Sequence, residues 1–413
     1  MSNVEIMAPA GSFEALQAAT KAGADSVYFG VGKLNMRARS ANFKFKDLEK
    51  VAAICKKNNV KSYLALNTIL YDSDIGIMKR VCNRAKKAGV NAVIVSDIAA
   101  MMYAKYIGLE VHSSTQLNIS NIEAVKFFSE FTDVIIPARE LTLKQIESIV
   151  KQIKKEKIKG PSGKPVKIEL FCHGALCVSI AGKCYMSLAT YNASANRGAC
   201  LQNCRRSYKV IEEGTGNELV IDNKYVMSPK DLCTIGFLDK IVKAGVSVLK
   251  IEGRARSPEY VYEVTRAYKE AIESINRNNY TKDKIKVWTK KLKGVYNRGF
   301  WDNGYYLGKK LGQWSGTSGS KATTKKRYIG KVFNYFNKPQ VAEIILEAGK
   351  LKQSDSLLIT GPTTGVVQTK AETILKDDKK VREAKKKDHV TVKVPEKARK
   401  NDKVYVIKPV ANA

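Results

Sequence analysis

Histidine is scarce, with three in 413 residues. With so few, a Cys–His nucleophile pair would have to recruit a cysteine that a metal centre also wants. No HExxH and no GxSxG occurs, which argues against the zinc-protease helix and the serine-hydrolase elbow. The first loop, PAGSF, lacks the GxGxxG that a dinucleotide-binding fold uses. No apolar run reaches the ~18 residues of a membrane span. The opening MSNVEIMAPAGSFEALQ has neither a basic leader nor an apolar signal core, so a cytoplasmic protein with no membrane partner is expected.

Acid is also in short supply. There are 39 Asp and Glu against 72 Lys and Arg, a formal net charge of +33. Such an imbalance costs self-repulsion that an anionic partner relieves, and nucleic acid is the first candidate. The plain alternative is a surface that uses lysine by default, because composition alone locates no binding face.

Cysteine, by contrast, is concentrated. Cys172, Cys177, Cys184, Cys200, Cys204 and Cys233 share one stretch, whereas the first 171 residues hold only Cys55 and Cys82. In an unexported chain disulfides are not expected, and soft thiolates suit an iron-sulfur cluster or zinc. Structural zinc usually pairs ligands two to four residues apart, a spacing that only Cys200 and Cys204 approach, so iron-sulfur is the preferred reading. Cys55 and Cys82 lie on amphipathic helical segments and read as core residues.

Along residues 4–275, apolar strand-like runs alternate with segments of helical period. Eight strands are predicted, at 4–10, 25–31, 60–67, 91–97, 109–116, 132–138, 166–172 and 246–253. Lys-Ala-Gly followed by a strand recurs at 21–30, 87–97 and 243–253, with glycine placed for a left-handed helix C-terminus. Eight such units predict an α/β fold, a closed (β/α)8 TIM-like barrel over 1–275 with a cysteine-rich insertion at 172–233. Residues 276–325 read as a basic linker with a small packed element, and 326–413 as a small β-barrel. A hairpin is expected in YKVIEEGTGNELVIDNKYVMS, turning at Gly214–Asn217.

ELFCHGALCVSIAGKCYMS (169–187), NRGACLQNCRRSY (196–208), VMSPKDLC (226–233), KIEGRARS (250–257) and NRGFWDNGYYLG (297–308) together resemble peptidase family U32, the collagenase-like proteins. The name implies proteolysis. Similar members, however, are associated with prephenate-dependent hydroxylation of RNA bases, in tRNA at the wobble uridine or in ribosomal RNA at a cytidine, and related pairs hydroxylate ubiquinone precursors. The resemblance implies a 4Fe-4S cluster held by Cys177, Cys184, Cys200 and Cys233, leaving Cys172 and Cys204 as extras. It also implies RNA as partner, prephenate or another small carboxylate as co-substrate, and an accessory iron-sulfur or family partner protein. The last segment resembles the second, β-barrel domain of translation elongation factors. The Gly-Asp turns of that domain correspond to Ser354-Asp355, Lys387-Asp388 and Asn401-Asp402.

In a barrel of this kind chemistry sits at the C-terminal ends of the strands. Residues expected there include Glu140, His173 and Glu252 as proton-moving groups, and Asn67, Gln116, Arg139 and Arg254 as substrate contacts, the arginines pairing with a carboxylate. Structural ion pairs are the competing reading for the charged members, and His112 reads as a satisfied interior histidine. Three functions remain open: RNA hydroxylase, peptidase, and non-catalytic RNA- or ribosome-binding protein with a structural metal.

Overall fold

The computed structural model describes residues 4–40, 42–219, 225–301, 305–308, 313–317 and 319–410. Seven parallel strands come first: β1 Glu5–Pro9, β2 Ser26–Gly30, β3 Lys61–Leu66, β4 Ala92–Val95, β5 Glu110–Ser113, β6 Val134–Ile135 and β7 Lys167–Gly174. Two short antiparallel strands, β8 Val210–Ile211 and β9 Glu218–Leu219, form the expected hairpin, although residues 220–224 of its second arm lie outside the described residues. Next come β10 Asp231–Cys233 and β11 Val248–Ile251. Val248 pairs with Glu5 of β1 and with Glu169 of β7, so the eight-stranded parallel ring is closed.

The helices α1 Phe13–Lys21, α2 Leu48–Lys57, α3 Asp72–Lys87, α4 Ile98–Tyr106, α5 Ile122–Ser129 and α6 Leu143–Lys155 follow β1 to β6 in turn. The short α7 Met186–Tyr191 lies in the insertion, α8 Leu238–Lys243 precedes β11, and α9 Pro258–Asn276 follows it. α6 shows how local sequence sets these elements. Thr142 caps its N-terminus reciprocally with Gln145, and Leu143, Ile146, Ile149, Val150 and Ile153 bury one stripe at helical spacing. The three Lys-Ala-Gly units end as read, with Gly23, Gly89 and Gly245 at φ of 83°, 77° and 86°, where a side chain would be strained. Cys55 and Cys82 are buried on α2 and α3.

Part of the predicted linker is helical. α10 Lys282–Gly294 packs through buried Trp288 and Leu292, four residues apart, and Trp288 Nε1 donates to Glu270 of α9 at 2.9 Å. Its many lysines hid that two-residue apolar stripe. The strand β12 Phe300–Trp301 then joins β10.

From Thr324 the chain is an antiparallel sheet with its own apolar cluster, including Ile329, Val332, Ile344, Ile359, Val390 and Val404. Leu358 and Val366 of this sheet instead join the barrel's cluster, and Lys21 of α1 pairs with Glu396 at 2.7 Å. The three turns singled out in the sequence share one geometry. Ser354, Lys387 and Asn401 have φ of 70°, 79° and 72°. In each, the aspartate that follows accepts from a backbone N–H three residues before it: Lys352 to Asp355, Lys385 to Asp388 and Arg399 to Asp402. Among the described residues no helix is long and apolar enough to cross a membrane.

Candidate active site at the barrel mouth

A cavity of about 230 Å³ lies at the C-terminal ends of the strands, under the insertion that follows β7. Six arginines line it: Arg37, Arg139, Arg205, Arg254, Arg256 and Arg298. Lys250 adds a seventh cation, and Glu252 is the one carboxylate among the described lining residues. So unequal a charge in a partly enclosed space favours an anionic ligand.

Glu252 is already engaged. Its carboxylate meets Arg37 at 3.1 Å and accepts from the Ala175 N–H at 3.3 Å. Burial pushes the carboxyl up, but Arg37 and Arg256 outweigh it and hold the group below the usual carboxylate range. Two arginines are not so engaged. Arg254 is buried with one terminal nitrogen unpartnered among the described residues, and burial drops its pKa to about 10. Arg139 stacks over the Phe171 ring at 4.7 Å, with Nε and one terminal nitrogen buried and unpartnered. A buried donor without an acceptor costs about 1–3 kcal/mol, which a carboxylate in the cavity would recover.

The remaining sequence-predicted residues divide. Asn67 lines the cavity, donating to Ser114 Oγ at 3.3 Å and accepting from the Met36 N–H at 3.2 Å. Gln116 lines it too, accepting from the Ser114 hydroxyl. Glu140 sits exposed on the turn after β6 and does not belong to the lining. His173 is buried at the end of β7 among the rings of Tyr260, Tyr268 and Phe300, with centroids 6.0, 5.6 and 5.4 Å away. Burial, then the Arg256 charge, lowers its pKa to about 3, so it is neutral at physiological pH, and it too lies outside the lining.

The insertion is folded over the mouth by arginines. Arg205, next to Cys204, donates to the carbonyls of Leu176 at 2.6 Å and Pro229 at 2.5 Å. Arg197 pairs with Asp74 and donates to the Ile69 carbonyl at 2.9 Å. Gly198, at φ 79°, passes so close to the Asn35 carbonyl that a Cβ would stand 2.2 Å from its oxygen.

These contacts gather thiols. Cys177 is exposed, while Cys184, Cys200 and Cys204 are half-buried. Burial raises the Cys204 thiol, Arg205 lowers it, and Cys177, Cys200 and Cys184 raise it further, so the four feel one another electrostatically. Cys177, Cys200 and Cys204 all face the cavity. Cys233 is buried on β10 opposite His173, and its charge is felt by Cys172. Four thiols beside Arg37 and Arg205 suit an anionic iron-sulfur cluster as a donor set. Their side chains are not closed upon one another: among the described residues no three Cys, His, Asp or Glu converge at metal-ligand spacing.

One group escaped sequence reasoning. Lys250 and Glu169 form a buried ion pair of 2.9 Å inside the barrel, and His112 Nδ1 lies 3.9 Å from the other Glu169 oxygen. The signal was present as a charged residue flanked by apolar neighbours on a central strand, in VLKI and IEL, which must find its partner within the ring.

The rim carries exposed aromatic rings with cations against them. Tyr71, Tyr185 and Tyr191 are more than half exposed. Arg197 lies 4.0 Å over Tyr71, and Arg206 lies 5.0 Å over Tyr191. A second cavity of about 320 Å³, lined by Lys183 and Tyr185, shares Asn67, Gln116 and Gly182 with the first.

A profile of peptidase family U32 matches residues 11–316. A collagenase of Porphyromonas gingivalis is 54% identical over 98% of this chain and 98% of its own length. The tRNA hydroxylation protein P1 of Bacillus subtilis is 29% identical over 91% of this chain and 87% of its own. A 23S rRNA 5-hydroxycytidine synthase of Escherichia coli is 33% identical over 66% of this chain and 40% of its own.

Proposed function

The chain belongs to peptidase family U32, and from that premise we propose that it is an RNA-base hydroxylase which takes a small carboxylate such as prephenate into the barrel mouth. The observation that carries this reading is the set of buried, unpartnered guanidinium nitrogens, two on Arg139 and one on Arg254, in a cavity already lined by four further arginines. Two guanidinium forks match two carboxylates. Relatives named for tRNA hydroxylation and for a 5-hydroxycytidine synthase support the reaction class.

Asn67 and Gln116, shared by both cavities, would orient a base that enters between the rim and the mouth. Tyr71, Tyr185 and Tyr191 offer faces on which unpaired bases stack, and Arg197 and Arg206 offer contacts to phosphate. Cys177, Cys184 and Cys200 would hold a 4Fe-4S cluster, with Cys204, which lies among them, or Cys233, which the family motif names, as the fourth ligand. When bound, such a cluster supplies one-electron transfer. Glu252, ionised and fixed by Arg37, positions the mouth rather than moving a proton.

A peptidase is the second reading, favoured by the collagenase name of the 54% identical relative. The neutral His173, boxed in aromatic rings outside the cavity lining, gives no Cys–His pair there. Nucleosides from tRNA and ribosomal RNA of cells with and without the gene decide between them. A hydroxylated uridine or cytidine should vanish with the gene. An unchanged nucleoside profile together with hydrolysis of denatured collagen by the purified chain would install the peptidase instead.

A further inference from the structure

We propose that Lys250 is a nucleophilic amine that captures the ketone of a small keto acid in the barrel mouth as an imine. Lys250 projects from β11 into the ring and lines the cavity, although it is only 5% exposed. Its ammonium nitrogen lies 2.9 Å from Glu169 Oε1 and 4.7 Å from the centre of the Tyr28 ring. Glu169 is fully buried, and its second oxygen has no hydrogen-bond partner among the described residues. An amine at the bottom of a cationic cavity, beside a carboxylate able to shuttle its proton, is the arrangement imine chemistry requires.

The surroundings of the amine set its state. Burial disfavours its charge, Glu169 favours it, and Arg254 disfavours it again, with a net lowering of the pKa. The unpartnered nitrogens of Arg139 and Arg254 would take the carboxylate of the incoming acid, leaving its neighbouring ketone over Lys250.

The step balances. The ammonium passes one proton to Glu169 and the freed nitrogen adds to the carbonyl carbon. The proton returns through Glu169 to the carbinolamine oxygen, which leaves as water, and a protonated imine remains. Ammonium and ketone thus give iminium and water, with no oxidant or reductant. Prephenate is itself a keto acid, so the step deepens the donor reading, and naming prephenate as that keto acid rests on it.

The experiment incubates the full chain with pyruvate, reduces with borohydride and maps modified peptides. Reduction should leave a carboxyethyl group on Lys250 at a level well above that on exposed lysines such as Lys183, because Glu169 stands ready to take the Lys250 proton. Lys250→Arg, which keeps a cation beside Glu169, should lose that label and retain the low surface background. Glu169→Gln should slow labelling of Lys250, with its melting temperature recorded to show that the barrel persists. Label confined to exposed lysines of the wild-type chain overturns the proposal, whatever the variants do. The nucleoside comparison is separate: a missing hydroxylated base without Lys250 labelling removes the imine and keeps the hydroxylase, and the converse does the opposite.

Discussion

Arg205 donates to the carbonyl of Leu176 at 2.6 Å, so the residue after Cys204 grips the residue before Cys177. The same guanidinium reaches Pro229 and Ser228 at the far end of the insertion. One buried side chain therefore ties three separated parts of the cysteine roof together.

Removing that tie leaves the buried carbonyls of Leu176 and Pro229 without this donor, while the Ser228 hydroxyl keeps Ser315 Oγ at 3.0 Å. Arg205→Ala should destabilise the chain by about 2–4 kcal/mol. Urea unfolding measures it, and an unchanged midpoint would show that the clamp is dispensable.

The gathered thiols make a sharper test. Iron and sulfide content after anaerobic purification should fall in Cys177→Ser, Cys184→Ser, Cys200→Ser and Cys204→Ser, because these four sit within electrostatic reach of one another. Cys233→Ser should keep its cluster if the roof carries all four ligands. Loss in Cys233→Ser with retention in Cys204→Ser would mean that β10 opens to bring Cys233 to the metal.

Anion binding should depend on the two unpartnered arginines. Arg139→Ala and Arg254→Ala should each weaken prephenate binding by about tenfold to a hundredfold, the equivalent of one charged hydrogen bond. Titration calorimetry gives the constants, and Glu123→Ala, on the outer helix α5, serves as the control.

His173 predicts a pH dependence. Its ordinary value of 6.5 falls to about 3 in the folded chain, because burial and then Arg256 disfavour the charge. Below pH 6.5 the unfolded chain binds a proton that the folded chain refuses, so stability is lost as pH falls through that window toward about 3. Between pH 7 and pH 5 the loss from this group is about 2 kcal/mol. Chemical denaturation at the two pH values should show a smaller difference in His173→Gln than in the wild type.

The turn at Lys387 holds a side chain in left-handed backbone, at φ 79°. Lys387→Gly relieves that strain against a greater loss of entropy on folding, and should raise stability by about 0.5–1 kcal/mol. A lower melting temperature would mean that the lysine stem packs usefully in place.

How far the sequence could be read depended on the range of the interactions involved. All eight barrel strands were legible because a strand buried in the ring between β-sheet core and helix layer is a short run of apolar residues. Their ends were not. LEVHSSTQ reads as one strand, yet the ladder stops at Ser113 and Thr115–Leu117 turns as a 3-10 helix. The density of cysteines was visible, and so was the placement of Arg139, Arg254, Asn67 and Gln116 at the strand ends that line the cavity. Their grouping was not, because Arg205, which pins Leu176 from 29 residues away, looks from the sequence like any surface arginine. Lys250 and Glu169 stand 81 residues apart, and only closure of the ring makes them neighbours.

That ring closes through β7 and β11 in a ladder that ends at the Ile251–His173 pair, where the insertion begins. The insertion is nonetheless sewn back onto the ring, because Leu232 and Cys233 of β10 pair with Gly174 and His173 of β7, and Leu176 and Leu232 are buried in the barrel's own apolar cluster. With Arg205 holding Leu176 and Pro229 from the other side, the cavity beneath has its cover fixed to the same framework that supplies its floor.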